Sequence, residues 1–258
     1  MRIALVGILA LKAACALGAN DPTESLSARQ NAHQAAEAFR SGDYAGAVEI
    51  YKKIEDNHII NGDLLYNLGN AYYRAGKFSH ALAAYKGAQR FLPRDGDLAA
   101  NLDYARKQRI DALEEKPNYP RLVFFWLTWG ALGEFLILSG TTLGLFFASL
   151  MACRLFWKES PLWPRMILGI LAAFCTLSFA GKRAGLVDSD EAVVGVPEVA
   201  VKSGDREGDI TLFVIHEGTE VTLGTRRSPW VQIALIDGKK GWIRADSLIL
   251  VSSEASTP

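Results

Sequence analysis

The stretch Leu68-Gly69-Asn70-Ala71-Tyr72-Tyr73-Arg74-Ala75-Gly76-Lys77-Phe78 decides how the first half of the chain folds, because its pattern also stands 34 residues earlier. Ala35 aligns with Gly69, Phe39 with Tyr73, Gly42 with Gly76, Tyr44 with Phe78, Ala47 with Ala81 and Tyr51 with Tyr85. A constant offset of this length marks stacked supersecondary units. Small residues at 35/69 and 47/81 let two helices approach closely, the glycines end the first helix in a left-handed cap, and the aromatics fill the space between. The reading is a helix-turn-helix hairpin repeated over about 28–61 and 62–95, within a helical domain over 20–117. A further helix over 97–110 begins another repeat with Asn101 and Leu102 and then turns polar, as a capping helix should.

Leu68 to Tyr72, with Gly76, Phe78, Ala81, Tyr85, Ala88 and Pro93, resembles the tetratricopeptide (TPR) repeat. The second repeat carries that consensus more fully than the first. In the first, Gln34 and Ala38 replace a large apolar residue and an aromatic, and Ile59 replaces the closing proline. The resemblance implies a concave groove for an extended peptide or partner helix, lined by Phe39, Arg40, Asn70, Tyr73, Arg74, Asn101, Tyr104 and Lys107. Taken singly, each of these side chains either binds or packs the groove wall. Asn70 and Asn101 resemble the two asparagines of the TPR carboxylate clamp, but Tyr66 stands where the clamp has its first lysine.

Working outward, Leu122 to Trp157 is mostly apolar, too long for one membrane span and too short for two spans and a turn. Glu134 divides it. A carboxylate at mid-bilayer costs roughly 2.5 to 3.5 kcal/mol, which places Glu134 at an interface, with a first span over 134–155. Residues 122–133, with Trp126 and Trp129, then form an interfacial helix; a functional intramembrane Glu134 is the alternative. A second span covers 162–181, ahead of Lys182 and Arg183. Arg154, Lys158 and Arg165 lie between or beside the spans, so the positive-inside tendency puts this loop in the cytoplasm and both flanking regions outside. Gly140, Gly144 and Ala148, and likewise Gly169 and Ala173, form small-residue strips for transmembrane packing, of the hairpin on itself or against another membrane protein. Residues 1–19, with Arg2, the apolar run from Ile3 to Leu11 and Ala14-x-Ala16, read as a cleaved signal peptide. An uncleaved anchor and a lipoprotein acylated at Cys15 are the alternatives.

Beyond the second span, residues 186–258 turn strand-like. Val199/Val201, Leu212/Val214, Val221/Leu223 and Val231/Ile233/Leu235 recur at period two between glycine-containing turns, which suggests five short strands in a small barrel. Glu217-Gly218-Thr219-Glu220-Val221, Trp230-Val231-Gln232-Ile233, Asp237-Gly238 and Gly241-Trp242-Ile243-Arg244 resemble the bacterial SH3-like domain. Trp230 and Trp242 are its candidate ligand surface, or else core and rim.

Lys plus Arg and Asp plus Glu both number 28, so there is no basic field to hold nucleic acid. Cys15, Cys153 and Cys175 lack zinc-site spacing and sit in apolar runs. His33, His58, His80 and His216 are scattered, and no nucleophile elbow or phosphate loop occurs, so a non-catalytic protein without a cofactor is expected.

The fold class is therefore a multidomain membrane protein: all-α TPR hairpins, a two-helix transmembrane hairpin and an all-β SH3-like barrel. This order of modules resembles the TPR-containing proteins of bacterial aerotolerance (Bat) operons, the BatE type. The resemblance implies a scaffold or adaptor at the bacterial inner membrane, with both soluble modules in the periplasm. Its implied role lies in oxidative stress tolerance, alongside membrane von Willebrand factor A proteins and a MoxR-type ATPase. The rival reading is a peptidoglycan-binding wall sensor or anchor that uses the SH3-like barrel. In both readings membrane lipid is a partner through the spans.

Overall fold

The computed structural model describes residues 22–56, 60–111, 122–155, 162–185 and 190–251. The expected signal peptide, His58, Ile59 and the centre of the loop between the apolar helices lie outside the described residues. Two compact units form. One joins the chain up to Lys116 with the chain from Asp190 onward; the other spans Pro117–Ser189.

The first unit begins with five helices: α1 (Pro22–Arg40), α2 (Tyr44–Asp56), α3 (Gly62–Arg74), α4 (Phe78–Phe91) and α5 (Gly96–Arg106). Gly42 and Gly76, at φ 88° and 76°, stand just past the ends of α1 and α3. There Asp43 N–H reaches the Ala38 carbonyl at 2.9 Å, and Lys77 N–H reaches that of Tyr72 at 2.9 Å. These six-to-one bonds close a Schellman motif at both places, and an L side chain would be strained in that conformation. Asn61 and Asp95 start α3 and α5 by accepting from Leu64 N–H at 2.8 Å and Leu98 N–H at 2.9 Å. Ala35, Ala47, Ala71, Ala81 and Ala88 are fully buried, and the Tyr51 and Tyr85 rings fill the space they leave. At Gly69 a Cβ would lie 2.5 Å from Tyr85 Cδ1, so only glycine lets α3 and α4 approach this closely.

After Asp190 come seven antiparallel strands: β1 (Glu191–Val194), β2 (Glu198–Lys202), β3 (Thr211–His216), β4 (Glu220–Arg227), β5 (Trp230–Leu235), β6 (Lys240–Arg244) and β7 (Leu248–Leu250). Their order in the sheet is β3-β2-β6-β5-β4-β1-β7. Seven strands replace the five that alternation suggested. The two added strands, β1 and β7, pair with each other and lie against α4. Ala192 and Val194 enter the core of the sheet, whereas Val193, Val251 and Ile249 join the helical core. On β3 it is Ile215 that is buried, while Leu212 and Val214 point outward.

Polar contacts lock the same junction. Glu220 on β4 accepts a two-pronged bond from Arg106, Nε at 2.8 Å and Nη2 at 3.0 Å, together with Lys86 Nζ at 2.6 Å and Arg109 Nη1 at 3.0 Å. Lys86 also lies 3.1 Å from Glu191 on β1. Burial alone would raise the Glu220 carboxyl, but the Arg106 hydrogen bonds and the charges of Lys86 and Arg106 overrule it and hold it down to about 2. A second joint forms at Asp111, which receives the Thr219 hydroxyl at 2.5 Å and the His216 backbone N–H at 2.8 Å. His216 Nδ1 lies 2.8 Å from its other oxygen. Burial pushes this carboxyl up, and the bonds from Thr219 and His216 bring it below its ordinary value.

The second unit contains a short helix α6 (Phe125–Thr128) and two long ones, α7 (Leu132–Leu155) and α8 (Trp163–Arg183). The latter two are long and apolar enough to cross a membrane. Of the stretch 122–133, residues 122, 123 and the four of α6 are helical, and Leu132 and Gly133 already open α7. Trp126 ties α6 to α8 by an Nε1–H bond to Ser178 Oγ at 3.2 Å and a ring contact with Phe174 at 5.7 Å. α7 starts two residues before Glu134, whose Oε2 accepts from Ala131 N–H at 3.1 Å and thereby caps the helix start.

The seam between α7 and α8 uses only part of the small-residue strips. It is made by Ser139, Thr142, Ala172, Cys175 and Ser178, with Ser139 and Thr176 hydroxyls 3.1 Å apart. Gly169 contributes, because the Phe146 ring covers it. Gly140, Gly144, Ala148 and Ala173 instead face outward. At 100° per residue the face carrying 139, 142 and 146 cannot also carry 140, 144 and 148.

Two outcomes follow for the detergent-solubilised full chain, read by thermal melting. Gly69→Ala forces a methyl into the Tyr85 ring and should lower stability by about 1–3 kcal/mol. Glu220→Gln leaves three cations around a neutral amide and should cost about 3–5 kcal/mol. The wild-type Glu220 contribution is complete above the 4.5 of an unperturbed glutamate and is lost as pH falls through about 2, so the variant should show a flatter acid limb.

Candidate functional site

The residues expected to line the groove stand on α1, on α3 and on or just after α5, and their hydrogen bonds divide them by role. Asn101 Nδ2 donates to Asn70 Oδ1 at 3.0 Å and to Tyr66 Oη at 3.2 Å. The Tyr85 hydroxyl donates to the same Asn70 oxygen at 2.8 Å. Both lone pairs of that oxygen are thereby used, and α3, α4 and α5 are tied together at one polar point. Burial, followed by the neighbouring Tyr66 and Tyr73, pushes the Tyr85 phenol well above its ordinary value, so it stays protonated as the donor. Asn70 Nδ2 bonds to none of the described residues and stays accessible to solvent. Tyr66, which replaces the lysine of the clamp pattern, serves here as an acceptor in the seam.

A second grouping crosses from the first hairpin to the second. Phe39 and Tyr44 meet edge to face at 5.3 Å, and the Arg74 guanidinium lies 5.0 Å above the Tyr44 ring. Arg74 Nη2 also donates to the Tyr44 hydroxyl at 2.7 Å. Tyr73 meets Phe78 edge to face at 5.3 Å. Tyr104 is 58% exposed, with Lys107 Nζ 5.1 Å from its ring centre. Arg40 is separate: it pairs with Glu37 at 2.8 Å on the open surface. Arg74 and Lys107 have no carboxylate partner among the described residues, so both hold net positive charge stacked on aromatic rings. Tyr44 and Phe78 were not among the expected groove residues. Their signal was present, since the two stand at equivalent places 34 residues apart.

In the sheet, Trp230 is buried and Trp242 is half-covered, with the Arg227 guanidinium 5.4 Å from its ring centre and anchored on Asp205 at 3.0 Å. Neither ring is an open platform. The hydroxyl, carboxylate and imidazole of Thr219, Asp111 and His216 form no catalytic relay, because the carboxylate stands between the other two groups and Thr219 is fully buried. Among the described residues no cluster of His, Cys, Asp and Glu could hold a metal ion.

A search among curated proteins returns no match to this chain. Residues 38–102, which take in the end of α1, all of α2, α3 and α4 and α5 as far as Leu102, match the family model of the tetratricopeptide repeat. This stretch is similar to TPR repeats, a family whose repeats serve protein–protein interaction.

Proposed function

We propose that the chain is a non-catalytic scaffold anchored in the bacterial inner membrane by α7 and α8, which captures a partner protein or peptide in the TPR groove. The observation that carries this reading is the inventory of the groove. The seam consumes the acceptor oxygen of Asn70, while the Asn70 amide hydrogens, the N–H groups of Arg74 other than the one given to Tyr44, and Lys107 stay available beside the rings of Tyr44 and Tyr104. An extended backbone offers carbonyl acceptors and apolar side chains, the complementary set.

The sequence of the strand region resembles the SH3-like domain, and the sheet is the proposed second docking piece. Its junction with the helices supports a single topology: residues 60–111 and 190–251 pack on one another, so both lie on the same side of any membrane that α7 and α8 cross. With Arg154, Lys158 and Arg165 in the loop region on the cytoplasmic side, that side is the periplasm. The resemblance to BatE-type proteins adds membrane von Willebrand factor A proteins, a MoxR-type ATPase and oxidative stress tolerance as the setting. Buried Trp230 and lidded Trp242 lend no support to peptidoglycan binding through an aromatic platform.

Arg74→Glu combined with Tyr104→Ala, both at exposed positions, should reduce co-purification of a membrane von Willebrand factor A protein at least tenfold while leaving the melting temperature in place. Undiminished co-purification would remove the groove from the interaction. Reporter fusions at Lys158 and Pro258 should report the cytoplasm and the periplasm, respectively; the same compartment for both would break the hairpin.

A further inference from the structure

The groove does not end at Tyr73. Tyr73 packs edge to face on Phe78, and Phe78 forms one wall of a cleft of about 90 Å3 at the junction of helices and sheet. Leu82 and Ala105 also line it, while Gln108, Glu217 and Gly218 complete its edge. Phe78 is 37% exposed and Gln108 is exposed as well, so the cleft is reachable from outside. Glu217 is held in place by the Ser79 hydroxyl, which donates to its Oε1 at 2.6 Å. The far edge of the cleft therefore comes from the turn between β3 and β4, and the space exists only because the sheet is docked on α4 and the end of α5. Its volume falls below the roughly 150 Å3 that admits a benzene ring, a size suited to an aliphatic side chain.

Charge specifies the flanks of the occupant. Lys77 directly precedes Phe78, and Lys107 directly precedes Gln108; both lysines, like Arg74, are exposed and lack a carboxylate partner among the described residues. At the junction Glu220 is paired with three cations and Asp111 with Thr219 and His216, whereas Glu217 accepts one bond from Ser79 and keeps its charge at the cleft edge, where Arg109 of the same lining opposes it.

We propose that this cleft extends the TPR groove and receives one aliphatic side chain of an extended, acidic partner segment, so that helices and sheet recognise a single ligand together. The inference rests on the groove reading. An anchor residue in a small desolvated pocket, ringed by polar contacts, is a common form for the residue that dominates an interface.

The probe is a fluorescein-labelled peptide with one leucine between two glutamates on each side, titrated by fluorescence polarisation into the detergent-solubilised full chain. A twin peptide carries serine in place of leucine. The leucine peptide should bind at least tenfold more tightly than the serine peptide. Gln108→Trp, which plugs the mouth from an exposed position, should erase that preference with the melting temperature unchanged. Phe78→Ala, which removes a wall, should weaken the leucine peptide and leave the serine peptide unchanged. Arg74→Glu should weaken both peptides alike. Equal affinity for the two peptides, or a leucine preference that survives Gln108→Trp, overturns the cleft and leaves the groove standing. Failure of every peptide to bind overturns both.

Discussion

A single buried carboxylate, Glu220, fixes how the sheet meets the helices. Three cations from α4, α5 and the segment after it converge on its two oxygens, and the pairing is strong enough to hold the acid ionised despite burial. Removing the anion would leave those cations close together with little water around them. The same contact seats Val193 and Val251 in the helical core, where a repeat array otherwise exposes an apolar flank that a neighbouring repeat would cover. The sheet thus does for this array what another hairpin does in a longer one. Polar and apolar parts of the junction depend on one another, because the valines position the strand that carries Glu191 and the adjacent strand that carries Glu220.

What sequence reveals here depends on whether an element has one buried face or two. The hairpins have one packing seam each, so the period of 34 was legible, and the Schellman glycines and the Gly69–Tyr85 approach stand where that period put its small residues. β1 escaped notice because Ala192, Val193 and Val194 are all buried, alternately toward sheet and helices, and a strand buried on both sides shows no alternation. β3 misled in the opposite way, its outward Leu212 and Val214 being as apolar as inward Ile215. In the apolar hairpin, glycine spacing marked mostly an outward face, while the hydroxyls of Ser139 and Thr176 made the seam.

The groove shows a similar division. Residue type and spacing singled out Asn70 and Asn101, yet not their use: the two amides bond mainly to each other and to Tyr66 and Tyr85, which makes them part of the frame as well as of the proposed groove. Arg74 and Tyr104 are better placed to meet a partner, since neither completes the core. Which side chains hold the frame and which stay available is a three-dimensional fact, settled by hydrogen-bond counting and invisible to spacing.

The unit formed by helices and sheet is interrupted in the chain by the whole of α6, α7 and α8. During synthesis, therefore, the flank of α4 stays uncovered until the strands at the far end have been made, by which time both apolar helices have already emerged from the ribosome. On the proposed topology the soluble body can close only after the hairpin has threaded out and back. A chain stalled with one helix inserted would keep its greasy flank on show, a built-in mark by which quality-control proteases could tell an unfinished copy from a finished one.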